Sequence, residues 1–278
     1  MPELPEVRAL CERLDTAFAG RVVTGVGLHS FSALKTTSPA LGTLVGKAIS
    51  SVTSRGKYIV WHFAGGLRML WHLGSAGRVD CEQPSKATRP RGAVLRLEFG
   101  DRSVLVREHG HERRAAVHVL LPDDAGPLSA LGPEPDEEAF AVLVLGGSDR
   151  RQLHTILRDQ RAVAGIGRGY ADDMLQRAGL SPFATLAGLD PPARRRLLEA
   201  VRAVLDNALA RERQRSGGLS EASLGERFAV HRRAGQPCPT CGTTLRRVSF
   251  VDNDIVYCPS CQTGGRVLAD RRLSRLVR

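Results

Sequence analysis

Between residues 21 and 121 the hydrophobic positions come in short bursts. β-Branched and aromatic residues gather in segments 21–26, 57–63, 67–72, 93–99, 103–106 and 116–121. Gly, Pro or charged residues separate them at roughly the 8–12-residue spacing of a β-sandwich or barrel. Upstream, residues 6–19 follow a helical period that puts Val7, Leu10, Leu14 and Phe18 on one face. Segment 122–136, PDDAGPLSALGPEPD, is rich in Pro, Gly and acidic residues and reads as a linker. Beyond it the period turns helical over 137–145, 150–159, 171–178 and 191–212, the last opening with Asp190 as N-cap and Pro191 in the first position. Gly217-Gly218 starts a polar stretch that ends at Phe228, and there is no internal repeat or low-complexity tract. The pattern divides the chain into a strand-rich segment 1–121, the linker 122–136, a helical segment 137–230 and a cysteine-bearing segment 231–278. The expected class is α+β.

Composition narrows this picture. With 278 residues, 42% hydrophobic and 25% charged, the chain suits a soluble protein of two domains, or one domain with appendages. No apolar run approaches the ~18–20 residues that span a bilayer, and MPELPEVRAL lacks a basic then apolar leader. A cytoplasmic location with no membrane partner is therefore expected. Lys+Arg total 40 against 29 Asp+Glu, giving a formal net charge of +11. Only Lys35, Lys47, Lys57 and Lys86 are lysines. Codon bias accounts for arginine over lysine but not for the positive excess, which points to a polyanionic partner, most commonly nucleic acid.

Four of the six cysteines form Cys238-x2-Cys241-x16-Cys258-x2-Cys261, within the spacing window of a four-thiolate zinc site. Each pair lies in a tight knuckle, and the residues between them, 244–257, alternate like a β-hairpin. Four thiolates leave no open coordination position, so one structural Zn2+ is expected. The duplicated spacing disfavours a redox pair. Cys11 and Cys81 read as buried free thiols.

The chain opens Met1-Pro2-Glu3-Leu4-Pro5-Glu6-Val7. Removal of Met1, which the small following residue permits, would leave Pro2 with a free secondary amine. Such an amine is partly unprotonated near neutral pH and can attack a sugar C1′. Taken with the four-cysteine module and the basic charge, PELPEV closely resembles the start of the formamidopyrimidine-DNA glycosylase and endonuclease VIII family. Further matches are Arg55-Gly56-Lys57-Tyr58, His72-Leu73-Gly74, Leu131-Gly132-Pro133-Glu134-Pro135 and Gly165-Ile166-Gly167-Arg168-Gly169-Tyr170-Ala171, so the resemblance runs nearly the whole length. It implies an N-terminal β-sandwich with flanking helices, a helix-two-turn-helix domain, a zinc-finger β-hairpin, and DNA in a cleft between the halves. The implied chemistry flips a damaged base from the duplex, cleaves its glycosidic bond and nicks the strand by β,δ-elimination through a proline Schiff base. By resemblance Pro2 is the nucleophile and Glu3 the acid/base at the sugar. Glu6 supports proton transfer and Lys57 holds a phosphate beside the lesion.

Several positions depart from the family pattern. Ser75 stands where a void-filling methionine is common after His72-Leu73-Gly74, and serine is too small to act as a wedge. The Arg-Arg-Phe group is nearest to Arg113-Arg114-Ala115, in a segment, REHGHERR, whose His109 and His111 read as solvated. Arg168 replaces an asparagine in the helix-two-turn-helix turn and should keep the phosphate contact. Asn253 replaces the hairpin arginine five residues before the third cysteine, which should weaken the grip on the strand. The stretch from Gly217 to Cys238 looks shorter than the lesion-covering loop of 8-oxoguanine-excising members, and Glu221 occurs where their lysine would be. Within the tail 264–278, Val267, Leu268, Leu273 and Leu276 suggest a short docked helix.

The expected function is therefore a monomeric base-excision repair glycosylase with abasic-site lyase activity. Its DNA contacts are expected at His72, Ser75, Arg113, Arg114, Arg168 and Asn253. Substrates extend beyond 8-oxoguanine to oxidised pyrimidines, abasic sites, single-stranded DNA or bulky alkylated lesions, and discrimination by the opposite base should be weak. The alternative is a non-catalytic binder of damaged or unusual DNA; retention of Pro2, Glu3, Glu6 and Lys57 together weighs against it.

Overall fold

The computed structural model describes residues 2–109, 113–215, 227–250 and 254–269. The chain forms two compact units, Met1–Ala130 with Leu209–Ala222, and Leu131–Ala208 with Ser223–Arg278. No helix among the described residues is long and apolar enough to cross a membrane.

In the first unit, helix α1 (Leu4–Phe18) buries Leu4, Val7, Leu10, Cys11, Leu14 and Phe18, the stripe that a 3.6-residue period produces. Its start is fixed by a capping box in which Glu3 and Glu6 each accept the other's backbone N–H. Pro5 falls in the first turn, where no N–H is required. Eight strands follow: β1 (Gly25–Leu28), β2 (Ile49–Arg55), β3 (Tyr58–Phe63), β4 (Arg68–His72), β5 (Gly77–Glu82), β6 (Ala93–Glu98), β7 (Ser103–Glu108) and β8 (Ala116–Leu120). They build two four-stranded antiparallel sheets, ordered β1-β6-β7-β5 and β2-β3-β4-β8.

Residues from both sheets and from α1 share one core. At its centre Trp61 and Trp71 lie 4.7 Å apart with planes at 54°, and Phe18 packs on Phe99 at 4.7 Å. Truncating any of these rings to alanine should cost about 3–5 kcal/mol. Alternation along β3, β4 and β8 sends Ile59, Trp61, Met69, Trp71, Val117 and Val119 into that core. The opposite face carries Tyr58, His62, His72 and His118 around a smaller cluster, Val60, Leu70 and Leu120, which Leu128 covers from the Gly126–Ala130 turn.

Three expectations need correction here. The strand expected over 21–26 forms instead at Gly25–Leu28, with Val22 in an isolated bridge to Ala48. Strands β2 (ISSVTSR) and β5 (GRVDCE) were not expected; both lie at sheet edges, where polar side chains face solvent and the hydrophobic signal is weak. Cys81, on β5, is exposed rather than buried, while Cys11 is buried with its thiol donating to the Thr53 carbonyl at 3.1 Å.

The second unit is built around α2 (Glu138–Gly146), α3 (Leu153–Arg158), α4 (Arg168–Ala178) and most of α5 (Pro191–Gln214), whose last turns belong to the first unit. Asp190 caps α5, accepting the Ala193 N–H at 2.7 Å. Arg194 of α5 donates to the carbonyls of Val144 and Leu186, both at 2.8 Å, satisfying groups at the end of α2 and in the turn that follows α4. The hairpin β9 (Arg246–Ser249) and β10 (Asp254–Tyr257) and the short helix α6 (Pro259–Thr263) complete the cysteine module. Of the tail, residues 264–269 are described without helix, and Leu273 and Leu276 lie outside the described residues.

Candidate functional site

Helix α1 runs antiparallel to β2: Asp15 accepts the Val52 N–H at 2.7 Å, and one turn earlier Cys11 reaches the Thr53 carbonyl. The N-terminal end of the helix is thereby aimed along β2 toward the Arg55–Tyr58 turn. Pro2 is half-buried there and Glu3 is 5% exposed, with the Glu3 N–H donating to Glu6 Oε2 at 2.8 Å.

The β2–β3 turn carries Lys57, and pairing of β3 with β4 sets Tyr58 opposite His72, their rings 5.1 Å apart. Burial pushes the His72 imidazole down to about 4, helped by the positive charges of Lys57 and His118. Its Nδ1 accepts the Gly74 N–H at 3.2 Å, so in the neutral ring the proton sits on Nε2, leaving that nitrogen as a donor. Gly74 has φ +59, and a Cβ there would fall 2.8 Å from the Arg114 carbonyl carbon. The 72–75 turn, with Ser75 half-buried, and the 113–115 strand entry are thus in direct contact.

Arg113 and Arg114 are exposed while Ala115 is buried, so at this position the chain turns a small side chain inward and two cations outward. What holds them is Glu108, 6% exposed at the end of β7. Its Oε1 accepts the N–H groups of Arg114 at 2.7 Å and Ala115 at 2.8 Å. Sequence reasoning does not single out Glu108, one of two acids among the bases of REHGHERR. His109 is exposed, and His111 lies outside the described residues. Pro2, Glu3, Lys57, His72, Ser75, Arg113 and Arg114 therefore belong to the turns and helix end on one side of the sandwich.

In the second unit Arg168 is exposed at the first position of α4. Apart from Arg177, the remainder of that helix is buried. A Cβ on Gly169 would lie 2.1 Å from the Phe228 ring, so only glycine admits this aromatic, which also meets Tyr170 edge-on at 5.1 Å. Three polar side chains of α4 tie the cysteine module to it. Asp173 accepts the N–H groups of Ala229, Val230 and His231, and burial raises its carboxyl to about 6. Asp172 accepts from His231 Nδ1 at 2.6 Å and Val256 N at 3.3 Å, with His154 Nε2 3.2 Å away. Gln176 donates to Cys238 Sγ at 3.4 Å and Thr240 Oγ1 at 2.9 Å. Sequence patterning predicts a helix over 171–178 and gives no sign of these ties.

The sulfurs of Cys238, Cys241, Cys258 and Cys261 all lie within 4.8 Å of one another. Cys238–Cys261, Cys241–Cys258 and Cys241–Cys261 separations are 3.9, 3.5 and 3.4 Å. A tetrahedron with Zn–S near 2.3 Å has edges of about 3.8 Å, so the donor set fits zinc. Hydrogen bonds from Thr243 hold the Cys241 thiol down at about 6, while burial raises Cys258 and Cys261. A dication is what stabilises all four as thiolates, and the site is a structural zinc centre. Asn253 lies outside the described residues.

Three family models cover most of the chain: the formamidopyrimidine-DNA glycosylase N-terminal domain over residues 1–113, the H2TH domain of the same enzymes over 131–218, and the zinc finger found in FPG and IleRS over 235–264. The chain is 34% identical to the formamidopyrimidine-DNA glycosylase of Thermus thermophilus, across 95% of its own length and all of the relative's. It is 41% identical to an uncharacterized formamidopyrimidine-DNA glycosylase-like protein of Mycobacterium tuberculosis over 152 residues, 54% of this chain and 95% of that one. Among solved structures, Lactococcus lactis Fpg in complex with DNA containing N7-benzyl-Fapy-dG superposes with a TM-score of 0.83 at 23% identity, over 94% of this chain and 100% of that chain. This last likeness speaks for the fold.

Proposed function

Because the chain belongs to the formamidopyrimidine-DNA glycosylase family, we propose that it is a DNA repair glycosylase with associated abasic-site lyase activity, using Pro2 as nucleophile. The observation that carries the reading is the capped start of α1, in which Glu3 and Glu6, the two carboxylates nearest Pro2 in the chain, accept each other's backbone N–H.

The chemistry needs Met1 removed. The Pro2 nitrogen then attacks C1′ of the damaged nucleoside as the glycosidic bond breaks, and the departing base takes a proton. Opening of the sugar gives an iminium ion between Pro2 and C1′. Loss of the C2′ proton expels the 3′ phosphate, a second elimination expels the 5′ phosphate, and water releases the enzyme. Glu3, buried next to Pro2, is the proton donor and acceptor at the sugar, a role typically worth ~10²–10⁴-fold. Glu6 holds the Glu3 backbone, so its part is to position that carboxylate. Lys57 and the Nε2–H of His72 supply a charged and a neutral donor for phosphates flanking the lesion. Arg168 adds a phosphate contact at the start of α4.

Small side chains at Ser75 and Ala115 support a substrate range wider than 8-oxoguanine, with weak discrimination by the opposite base. Oxidised pyrimidines, abasic sites, single-stranded DNA and bulky alkylated lesions are the classes to screen. The deciding experiment is borohydride trapping on an abasic-site oligonucleotide, with Pro2→Gly and Glu3→Gln variants and mass analysis of the N-terminal peptide. A covalent adduct on Pro2 that the glycine variant does not form is expected. Tight DNA binding by a processed N-terminus with no adduct would replace this reading with a non-catalytic binder or a lyase-free glycosylase, which a base-release assay separates.

A further inference from the structure

Among the described residues, Arg232 is the one non-glycine whose backbone is left-handed, with φ 63. It occupies the third position of a tight turn closed by the Arg233 N–H on the Val230 carbonyl at 2.9 Å. A positive φ at that position is the signature of turns that favour glycine, or asparagine, because a Cβ crowds the backbone. The turn cannot relax it. Val230 is fully buried, the His231 N–H and Nδ1 are held by Asp173 and Asp172, and the Gly235 N–H is held by the Leu245 carbonyl.

An arginine kept where glycine would sit more easily points to a use for its side chain. That side chain is exposed and forms no hydrogen bond or ion pair with another described residue. Its neighbours differ: Arg233 is engaged by Gln236 Oε1 and the Ala229 carbonyl, Arg227 lies 4.5 Å over the Phe228 ring, and Arg247 is 3.6 Å from Asp254. Residues 227–269 carry six arginines against two aspartates, so the surroundings favour an anion. The hairpin arginine implied by the family resemblance is absent, Asn253 standing in its place.

We propose that Arg232 is a DNA-backbone contact of this chain, its guanidinium binding one phosphate from a turn that the buried Asp172–Asp173 pair locks in place. The assignment rests on the DNA-binding reading above. A guanidinium matches the two oxygens of a phosphodiester, and a contact of this kind adds affinity without reading sequence.

The test uses the full chain and a short duplex carrying an abasic-site analogue, with affinity followed by fluorescence anisotropy across a salt series. Arg232→Gly and Arg232→Asn should bind about fivefold more weakly at roughly 0.15 M salt, with the slope of log K against log salt shallower by about 0.9, the signature of one lost phosphate. Arg232→Lys should keep the slope. Because glycine relieves the backbone, Arg232→Gly should melt no lower than the parent protein, a combination that loss of a structural residue does not give. Unchanged affinity and slope in both neutral variants would refute the proposal, and a lowered melting temperature in Arg232→Gly would reassign Arg232 to holding the turn. If the parent protein itself shows no salt-dependent DNA binding, the DNA reading fails before any variant is compared.

Discussion

Glu108→Ala is the perturbation whose consequence follows most directly from the geometry. One carboxylate oxygen of Glu108 accepts two backbone N–H groups, at 2.7 and 2.8 Å, and the side chain is almost wholly buried. Hydrogen bonds to a charged acceptor contribute about 1.5–3 kcal/mol each, and an N–H left buried without a partner costs a further 1–3 kcal/mol. Water reaching the Arg114 N–H offsets part of this, so the loss should be about 3–5 kcal/mol, a large share of a typical domain's stability. Glu108→Gln keeps an acceptor without the charge and should lose about 1–2 kcal/mol. Urea denaturation followed by tryptophan fluorescence reads this well, because Trp61 and Trp71 both sit in the first unit's core. Under conditions where the alanine variant remains folded, its affinity for abasic-site duplex should also fall, since Arg113 and Arg114 are no longer held, while the borohydride adduct on Pro2 still forms at saturating DNA. Stability within about 1 kcal/mol of the parent, or unchanged DNA affinity in folded Glu108→Ala, would refute the claim that this carboxylate organises the arginine segment.

Gly74→Ala should destabilise the first unit by about 2 kcal/mol or more, through a disfavoured positive φ and a Cβ 2.8 Å from the Arg114 carbonyl carbon; a melting temperature equal to the parent's would contradict the contact. The His72 ring titrates near 4 in the folded chain and near 6.5 when unfolded, so the unfolded chain takes up the proton first as pH falls. Stability from this group is whole above pH 6.5, declines by about 3 kcal/mol down to pH 4 and is level below; the pH series should flatten across that window in His72→Gln, and parallel curves would disprove the assignment. Metal analysis should find one zinc per chain, and chelation should unfold the cysteine module and loosen α4 through Gln176, visible as hydrogen exchange at the backbone amides of residues 229–231. Exchange unaltered after complete zinc removal would argue that the module holds without metal. Gln176→Leu, which removes the donor to Cys238 while keeping side-chain bulk, should weaken zinc retention about 10–100-fold against a competing chelator, and equal retention would count against that role.

Much of this molecule could be read before it was seen. The central strands β3, β4, β6 and β7 and the long helices α1 and α5 carry strong periodic signals, because burial on a defined face forces apolar residues into the period of the element. The zinc ligands were equally legible, since tetrahedral coordination by two knuckles imposes its own spacing. Motifs local in sequence single out Pro2, Glu3, Lys57, His72 and Arg168 as the candidates on which the proposed function rests. What escaped depends on partners far along the chain. Strands β2 and β5 are edges, half-exposed and polar, and become strands only because β3 and β7 offer them free hydrogen-bonding sides. Glu108 matters because two N–H groups six and seven residues later return to it, and Asp172 and Asp173 because segments roughly 56 to 84 residues away bring them backbone donors. A sequence states which side chains can bury, cap or ligate; only the folded chain decides which buried polar group meets which donor, since those energies exist only at hydrogen-bond distance.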